Sequence, residues 1–284
     1  MSTVDSEDWQ NWVGNTQTNI DAICAAPAAA LSATLDYPHT LVVPGQPLPV
    51  CWHWLYFQGP VAGSQLGIDG HPGRGEFLPP ISLPHRMWAG SRVRIVAPLI
   101  LGVTAQRQSS ITAIEHKQGR SGDLLFVTVR HLVFQGENLV IDEEQDLVYH
   151  QRHIGQPSPP AHPAPATAQW SRELTPDPVL LFRYSAVTFN SHRIHYDREY
   201  AVGEEGYPAL VVQGPLTATL LLDLVRRELP LEEVVKFEFR ALRPLFEGSL
   251  VTLQGRQNQR TVTLWAMDST GAMAMELHAQ LAGH

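Results

Sequence analysis

The chain has 284 residues, of which 44% are hydrophobic and 17% are charged, a composition typical of a soluble globular protein with room for two cores. Its formal net charge of -8 leaves no basic face of the kind that neutralises a phosphate backbone, so we expect no nucleic-acid partner. The first eight residues are acidic, unlike a secretory signal, and the most apolar early stretch, residues 23–35, is too short to cross a bilayer, which predicts a cytoplasmic protein without a membrane partner.

The first 150 residues are predicted to begin with a helix over residues 5–24 and to end in a series of strands. These strands are rich in β-branched and other apolar residues and cover residues 92–97, 106–116, 124–134 and 139–150. No clean central helix is evident in this half. The two cysteines, Cys24 and Cys51, are too few for a zinc site of the usual kind, and we expect both to be buried thiols.

Residues 59–84 are predicted to form a loop between that helix and those strands. The loop contains a series of glycines, Gly67, Gly70, Gly73 and Gly75. This series is not a dinucleotide-binding fingerprint, because Pro72 interrupts it and no strand and helix flank it. We interpret the segment as a flexible loop.

Residues 151–169 are predicted to be a semi-rigid, extended linker. They show no apolar periodicity and carry five prolines among small residues: Pro157, Pro159, Pro160, Pro163 and Pro165. The linker divides the chain into an N-terminal domain over residues 1–150 and a C-terminal domain over residues 170–284.

The C-terminal domain is predicted to contain one buried helix followed by an antiparallel meander. Residues 215–228 leave almost no polar face, so this helix must be buried nearly all round. Strands are predicted over residues 235–241, 249–256, 260–268 and 273–279, and the first and last alternate apolar with polar residues. A curved antiparallel sheet around one apolar helix is the hot-dog arrangement. Because both halves show the same order of signals, the predicted fold class is α+β, a double hot-dog.

The stretch over residues 184–201, YSAVTFNSHRIHYDREYA, is the most unusual in the chain. It places Asn190, His192, His195 and Asp197 close together. About twenty residues later, Gly214 stands immediately before the apolar helix. A glycine there lets a ligand approach the backbone, and free N–H groups at a helix start favour developing negative charge.

This pattern resembles the hydratase motif of the MaoC-like and R-specific enoyl-CoA hydratase superfamily. Aligned on His195, the chain has Asn190 where those enzymes carry a catalytic aspartate, and His192-Arg193 where they carry Asn-Pro. The form TFNSHRIHYD is similar to the branch that contains mitochondrial 3-hydroxyacyl-thioester dehydratases and mesaconyl-C4-CoA or itaconyl-CoA hydratases. Residues 52–57 (WHWLYF) and 79–90 (PPISLPHRMWAG) are similar to the same branch, so the resemblance covers most of the chain.

The resemblance implies a hydro-lyase that acts on an α,β-unsaturated acyl-CoA without a metal or redox cofactor. Hydration of a conjugated thioester needs a base, an acid and donors for the enolate oxygen. We assign proton transfer to His195, because imidazole titrates near neutral pH. An amide does not titrate, so Asn190 is expected to bind the water or the substrate carbonyl through hydrogen bonds. The backbone N–H of Gly214 matches the oxyanion donor. With Asn190 in place of the aspartate, His195 acts either alone or with a different carboxylate.

Four further residues are candidates for substrate binding: Arg86, Trp88, His192 and Arg193. An arginine among them would pair with a distal carboxylate of the substrate. The simpler alternatives are that Arg86 and Trp88 pack a domain interface and that His192 orients its loop. Asp197 is interpreted as a helix N-cap. No metal site is expected on the two histidines, because no third ligand is evident near them.

The expected reaction is reversible hydration of a C5 dicarboxylic enoyl-CoA, itaconyl-CoA or mesaconyl-C4-CoA, to citramalyl-CoA. The catalytic residues are expected in the C-terminal domain, and the N-terminal domain is expected to contact substrate without a catalytic motif. The alternatives are a 3-hydroxyacyl-thioester dehydratase, a hot-dog thioesterase, or a module that only binds acyl-CoA. A long acyl tail needs an apolar tunnel, whereas a dicarboxylate needs a buried cation. Edge-to-edge association into a homodimer is a further hypothesis.

Overall fold

The computed structural model describes residues 9–37, 42–119, 122–151 and 162–283. The predicted α+β class is confirmed, since these residues contain a large antiparallel sheet and three α-helices. The elements of the first half are β1 (Thr16–Ala22), α1 (Ala25–Thr34), β2 (His85–Ile95), β3 (Thr104–Gly119), β4 (Gly122–Gln135) and β5 (Asn138–His150). Those of the second half are β6 (Trp170–Leu174), α2 (Pro178–Val187), α3 (Gly214–Glu228), β7 (Val234–Ala241), β8 (Val251–Asn258), β9 (Thr261–Met267) and β10 (Met273–Leu281).

The ten strands form one sheet in the order β1-β3-β4-β5-β2-β7-β10-β9-β8-β6. The first five come from one half of the chain and the last five from the other, and the halves meet where β2 pairs antiparallel with β7. Gly90 lies at this seam. A Cβ added there would stand 2.5 Å from the carbonyl oxygen of Phe239, so only glycine allows the two strands to approach this closely. One continuous sheet therefore places groups from both halves against a shared cavity.

The helix predicted over residues 5–24 is wrong for the part that the structure describes. Residues Trp9–Trp12 form a short 3₁₀ turn, and residues 16–22 form strand β1, which pairs with β3 at the sheet edge. Exposed and half-buried residues alternate along β1, which is the two-residue period of a strand with one face towards solvent. The prediction of two buried thiols holds for Cys51 only, because Cys24 is exposed.

The first half does contain a helix, α1, although its sequence showed no clean signal. Its buried residues include Ala28 and Leu31, which belong to the same buried cluster as Val93 of β2 and Leu216 of α3. The sequence analysis found no clean central helix in this half and therefore missed α1. Helix α1 is rich in alanine and begins beside Pro27, so it lacks the apolar stripe by which amphipathic helices are recognised.

The second half follows its prediction closely. Helix α3 is buried from Leu216 to Val225, has a proline in its first turn, and carries Arg226 and Arg227 in its last turn. Strands β8, β9 and β10 form the predicted meander. Strand β7, in contrast, pairs with β10 and not with β8. The predicted meander placed these four strands side by side in chain order, whereas their order in the sheet is β7-β10-β9-β8.

The predicted linker lies largely outside the described residues, which omit 152–161. The domain boundaries at 150 and 170 therefore stay a prediction, and so does the homodimer, for which β1 and β6 are the free edges of the sheet. Among the described residues, no helix has both the length and the hydropathy needed to span a bilayer.

The stability of the fold is expected to fall with acidity because a histidine is buried without charge. Burial lowers the pKa of His131 to about 4, and its ring hydrogen-bonds Ser109 and Gln145. The unfolded chain binds that proton near pKa ~6.5, so acid favours the unfolded state across the range between the two values. We expect His131 to remove about 2 kcal/mol of unfolding free energy between roughly pH 7 and pH 5.

Urea denaturation of His131→Gln at several pH values checks this. Between roughly pH 7 and pH 5, the variant should lose about 2 kcal/mol less unfolding free energy than wild type. The matched control is His278→Gln, since His278 is far more exposed, with 42% of its side chain accessible. Equal slopes for wild type and His131→Gln would contradict the assignment.

Candidate active site

A cavity of about 1460 Å³ lies where the two halves meet. Its wall is formed by β2, by the loop over residues 59–84, by the segment that follows α2, and by the start of α3. Six of the seven predicted site residues line it: Arg86, Trp88, Asn190, His192, His195 and Gly214. The structure therefore brings the predicted catalytic residues together, and it adds groups from the N-terminal half that the sequence did not indicate.

Asn190 is placed by the end of helix α2. The backbone turns through Phe189, which has a φ of 50°, the left-handed region that a bulky residue rarely adopts. The N–H of Asn190 then donates to the carbonyl of Ser185 at 2.8 Å, and its side-chain oxygen accepts the N–H of His192 at 3.0 Å. With that oxygen engaged, the amide NH₂ group of Asn190 is the part available to a ligand.

His195 is oriented by the strand-like segment before α3. Its Nδ1 lies 2.7 Å from the carbonyl oxygen of Val211, so Nδ1 carries the proton and Nε2 carries the free lone pair. Burial lowers the pKa of His195 to about 4, which keeps the ring neutral at physiological pH. His195 is therefore in the protonation state that a general base requires.

Gly214 is the first residue of α3 and lines the same cavity as His195. The N–H groups of a first helical turn have no intrahelical partner, and the helix dipole makes them favourable to negative charge. A Cβ at Gly214 would lie 3.5 Å from the carbonyl oxygen of Trp88, an ordinary contact. The glycine is therefore not required by packing against β2, and it leaves the backbone open towards the cavity.

The predicted substrate-binding residues have different surroundings. Trp88 is fixed in the cavity wall, where its indole N–H donates to Ser91 Oγ at 2.9 Å. Arg86 lines the cavity and makes no ion pair with any residue that the structure describes. Arg193 is outside the lining: its guanidinium pairs with Asp197 at 2.7 Å and stacks over the Tyr200 ring. The structure thus offers Arg86, and not Arg193, to an anionic ligand.

Asp197 makes the hydrogen bond expected of a capping residue. Its Oδ1 accepts the N–H of Tyr200 at 3.1 Å, at the start of the turn over Tyr200–Glu204. Asp197 is not among the residues that line the cavity. The structure therefore agrees with its interpretation as a helix cap.

The loop over residues 59–84 contributes two cavity residues that the sequence analysis missed, Asp69 and His71. The segment is a loop, as predicted, apart from a short 3₁₀ turn over Gly63–Gln65. It carries its own backbone hydrogen bonds, such as Gly67 to His71 and Gly73 to Gln65. The only sequence signal for the missed pair was an Asp-x-His spacing inside a polar loop, which by itself carries little weight.

Three contacts dock this loop onto the predicted catalytic segment. The N–H of Arg193 donates to the carbonyl of Asp69 at 2.9 Å, its guanidinium donates to the carbonyl of Ile68, and the hydroxyl of Ser191 donates to the carbonyl of Gly70. Segments that are about 120 residues apart are thereby joined. This docking sets the position of Asp69 and His71 relative to the catalytic segment.

Docking brings Asp69, His71, His192 and His195 into successive contact. Asp69 Oδ2 lies 3.0 Å from His71 Nδ1, the rings of His71 and His192 are 4.1 Å apart, and those of His192 and His195 are 5.3 Å apart. The pKa of His192 is lowered to about 2, chiefly by burial and next by the charge of the neighbouring His71. The His192 ring is therefore neutral.

His192 has two potential ligand residues beside it that the sequence did not indicate, whereas His195 does not belong to this group. One ligand atom from each of Asp69, His71 and His192 lies within 4.8 Å of the others. Two imidazoles and a carboxylate are a ligand set that divalent transition metals accept. These three residues are therefore the group among the described residues that could hold a metal ion.

Comparison with known proteins identifies the family to which this site belongs. The family model of hydroxyacyl-thioester dehydratase type 2 matches residues 51–247, which is more than half of the chain. The chain belongs to the hydroxyacyl-thioester dehydratase type 2 family. The resemblance found in the sequence motifs is thus confirmed at the level of the family.

Two curated relatives and one solved structure are similar to this type 2 dehydratase family member over most of its length. It is 47% identical over 279 residues, 98% of this chain and 99% of the relative, to the mesaconyl-C(4)-CoA hydratase of Chloroflexus aurantiacus. It is 31% identical to a mitochondrial hydroxyacyl-thioester dehydratase type 2 of Schizosaccharomyces pombe, over 75% of this chain and 77% of the relative. A Mycobacterium tuberculosis protein described as a double hot-dog covers 95% of this chain and 96% of its own at 13% identity and a TM-score of 0.60. The predicted double hot-dog fold is confirmed.

A buried carboxylate that the sequence analysis did not identify stabilises part of the cavity wall of this family member. Glu143 on β5 accepts hydrogen bonds from the indole N–H of Trp54 and from the hydroxyl of Ser91, and it pairs with His53 at 2.9 Å. Burial alone would raise the pKa of Glu143, but these partners lower it to about 2. Trp54 packs edge-on against Trp88 at 5.1 Å, so this network orders both aromatic rings at the cavity.

Proposed function

We propose that this protein catalyses the reversible addition of water to an α,β-unsaturated C5 dicarboxylic acyl-CoA, itaconyl-CoA or mesaconyl-C4-CoA, to give citramalyl-CoA. The proposal rests chiefly on the 47% identity, over nearly the whole of both chains, to a mesaconyl-C(4)-CoA hydratase. The cavity supports it, because a neutral histidine, an amide and a helix N-terminus face the same space. They supply a base and donors for the enolate oxygen, two of the requirements for hydration of a conjugated thioester.

The residues have complementary roles in this reaction. The Nε2 atom of His195 takes a proton from water as the water oxygen bonds to the β-carbon of the substrate. Negative charge then develops on the thioester oxygen, where the first N–H groups of α3, at Gly214, stabilise it. The α-carbon then takes the proton held by His195, so that the addition of water is complete and the ring is neutral again. The amide of Asn190 holds the water or the thioester carbonyl in place. Coenzyme A enters as part of the substrate.

Arg86 supports a substrate that carries a second carboxylate. Its side chain lines the cavity close enough to His71 and His192 to influence their protonation. A partly buried guanidinium that forms no ion pair within the described part of the chain favours an anionic ligand, which it can bind through two parallel hydrogen bonds. A dehydratase for long acyl chains would instead need an apolar surface at this position.

An assay with four substrates tests the proposed function. Itaconyl-CoA, mesaconyl-C4-CoA, crotonyl-CoA and a long-chain enoyl-CoA are incubated with the enzyme, and loss of the enoyl absorbance is followed together with release of free thiol. We expect the two C5 dicarboxylic substrates to give the highest kcat/KM without thiol release. A preference for the long chain would indicate the 3-hydroxyacyl-thioester dehydratase alternative, and thiol release would indicate a thioesterase.

Replacement of Arg86 by leucine should change substrate preference. We expect kcat/KM for a C5 dicarboxylic enoyl-CoA to fall about 10²-fold, because a charge-assisted pair with the distal carboxylate is lost. Crotonyl-CoA, which lacks that carboxylate, should change by less than about threefold. The matched control is Arg94→Leu on the same strand, since Arg94 pairs with Asp142 outside the cavity. A parallel loss for both substrates would remove Arg86 from recognition.

A further inference from the structure

Phe189 occupies a position in the cap of helix α2 that glycine usually fills. The N–H of Asn190 donates to the carbonyl of Ser185 at 2.8 Å, and the N–H of Phe189 donates to the carbonyl of Ala186 at 3.4 Å. These two bonds form the Schellman motif, in which the residue after the helix C-cap has a left-handed backbone. The C-cap is Thr188, and Phe189 follows it with a φ of 50°. Glycine adopts this conformation freely, whereas a bulky side chain makes it strained.

The strain at Phe189 is not offset by packing of its ring. The residue is 61% exposed, and neither apolar cluster of the described residues includes it. A phenyl ring in a core stabilises the fold because it buries a large apolar area, and this ring buries little. Backbone strain that the folded chain does not repay indicates a function for the side chain that causes it.

The ring of Phe189 stands at the rim of the cavity, beside a residue that has a role in the proposed reaction. It lines the cavity although most of its surface is open to solvent. The next residue is Asn190, whose amide is assigned to hold the water or the thioester carbonyl. A thioester has two arms. In the proposed function the C5 acyl arm extends to Arg86, so the other arm must lead out of the cavity to solvent.

We propose, building on the hydratase function above, that the Phe189 ring binds the pantetheine arm of coenzyme A where that arm leaves the cavity. The arm alternates methylene and geminal methyl groups with two amides, so it presents apolar groups to an aromatic face. Contact between them removes apolar area of both partners from water. The strained cap then serves two purposes, because it fixes Asn190 inside the cavity and holds an aromatic ring at the exit.

Two substitutions separate the ring from the backbone strain. Phe189→Leu removes the aromatic face and keeps a side chain in the left-handed conformation, whereas Phe189→Gly removes ring and strain together. Phe189→Gly should raise the melting temperature by about 2–4 °C, because glycine is the usual residue in this cap. Both variants should raise KM for crotonyl-CoA about tenfold and change kcat by less than about threefold, which is the pattern of lost ground-state binding. A stabilised protein with weaker binding is not expected if the ring has only a structural role.

Three crotonyl thioesters locate the contact. Crotonyl-CoA carries the arm and the nucleotide, crotonyl-pantetheine carries the arm alone, and S-ethyl thiocrotonate carries neither. Phe189→Leu should lower kcat/KM about tenfold for the first two and by less than about twofold for the third. A loss confined to crotonyl-CoA would place the ring on the nucleotide. An equal loss for all three would mean that the ring acts on the acyl group or on the position of Asn190, and either result overturns the proposal.

An acyl carrier protein offers the same arm on a different carrier. Its crotonyl thioester is therefore compared with crotonyl-CoA on the wild-type enzyme. We expect the higher kcat/KM for crotonyl-CoA. A higher value for the carrier-protein thioester would overturn coenzyme A as the source of the arm.

Phe182→Leu and Gln259→Gly are the matched controls. Phe182 lies on α2, is 63% exposed and does not line the cavity, so this variant should keep the wild-type KM. Gln259 has a φ of 53° between β8 and β9, so glycine there should raise the melting temperature and leave KM unchanged. If Phe182→Leu raised KM as much as Phe189→Leu does, or if Phe189→Leu changed the molecular mass in solution, another chain would cover this surface and the proposal would fail.

The choice of crotonyl thioesters separates this inference from the proposed substrate. All of them lack a second carboxylate, so the ratios among them do not depend on a preference for C5 dicarboxylic groups. Poor hydration of C5 substrates together with the expected ratios refutes only the proposed function. Calorimetric binding of S-ethyl-CoA, a thioether that cannot react, gives a test without turnover. Its dissociation constant should rise about tenfold in Phe189→Leu, and an unchanged constant refutes the contact whatever the reaction is.

Discussion

Replacement of His195 by alanine should lower kcat by about 10²–10⁴-fold, the usual contribution of a general base. The ring has one nitrogen fixed on the carbonyl of Val211, so the other nitrogen is the atom that can accept a proton from water. Alanine removes this atom. The measurement is steady-state hydration of the preferred enoyl-CoA, with the folded state checked by circular dichroism.

His278→Ala is the control for this variant, since His278 lies on β10 outside the cavity, and it should keep wild-type turnover. The acid side of the wild-type profile gives a second check. Because burial lowers the pKa of His195 to about 4, the base stays unprotonated well below the usual histidine range. We expect kcat/KM to decline only as the pH approaches that value. Near-normal turnover in His195→Ala would remove this residue from the mechanism.

The elements of the fold that could be predicted are those in which the sequence pattern of apolar residues matches the burial of the element in the structure. Helix α3 is apolar on every face because it is buried on every face, and β10 alternates because only one of its faces is fully enclosed. The sequence of strand β1 does not alternate apolar with polar residues, although its burial alternates: the strand is polar, lies at the sheet edge and pairs on one side only. Its conformation depends on pairing with β3, about 90 residues later in the chain, and local propensity carries no information on that.

The same distinction applies to the site. Asn190, His192 and His195 lie within one short segment, so their proximity could be read directly from the sequence. Asp69 and His71 reach that segment only through the docked loop, which the motif does not reveal. Arg193 was a candidate because it is an isolated arginine among apolar and aromatic residues, but the structure pairs it with Asp197. Its spacing of four from Asp197 also predicts the ion pair that the structure shows.

Replacement of Gly70 by alanine should lower kcat by about 10²-fold while the protein stays folded. Gly70 has a φ of +85°, and a Cβ there would stand 2.0 Å from the carbonyl oxygen of Ser191. This clash involves backbone on both sides, so the loop must move away from the catalytic segment. A displacement of about 1 Å at a reacting group is enough for a loss of this size. The measurement is kcat on the preferred enoyl-CoA, together with the urea midpoint.

Gly75→Ala separates the effect of docking from that of backbone strain. Gly75 lies in the same loop with a φ of +105°, but the nearest atom to its added Cβ is Pro80 Cβ at 3.7 Å. Gly75→Ala should lose about 1 kcal/mol of stability, because alanine is strained at positive φ, and Gly70→Ala should lose at least as much. Only Gly70→Ala should lose activity, since it alone displaces Asp69 and His71 from His192. Equal activity in the two variants would mean that the docked loop does not position groups used in catalysis, and the role of the N-terminal half would be reduced to enclosing the substrate.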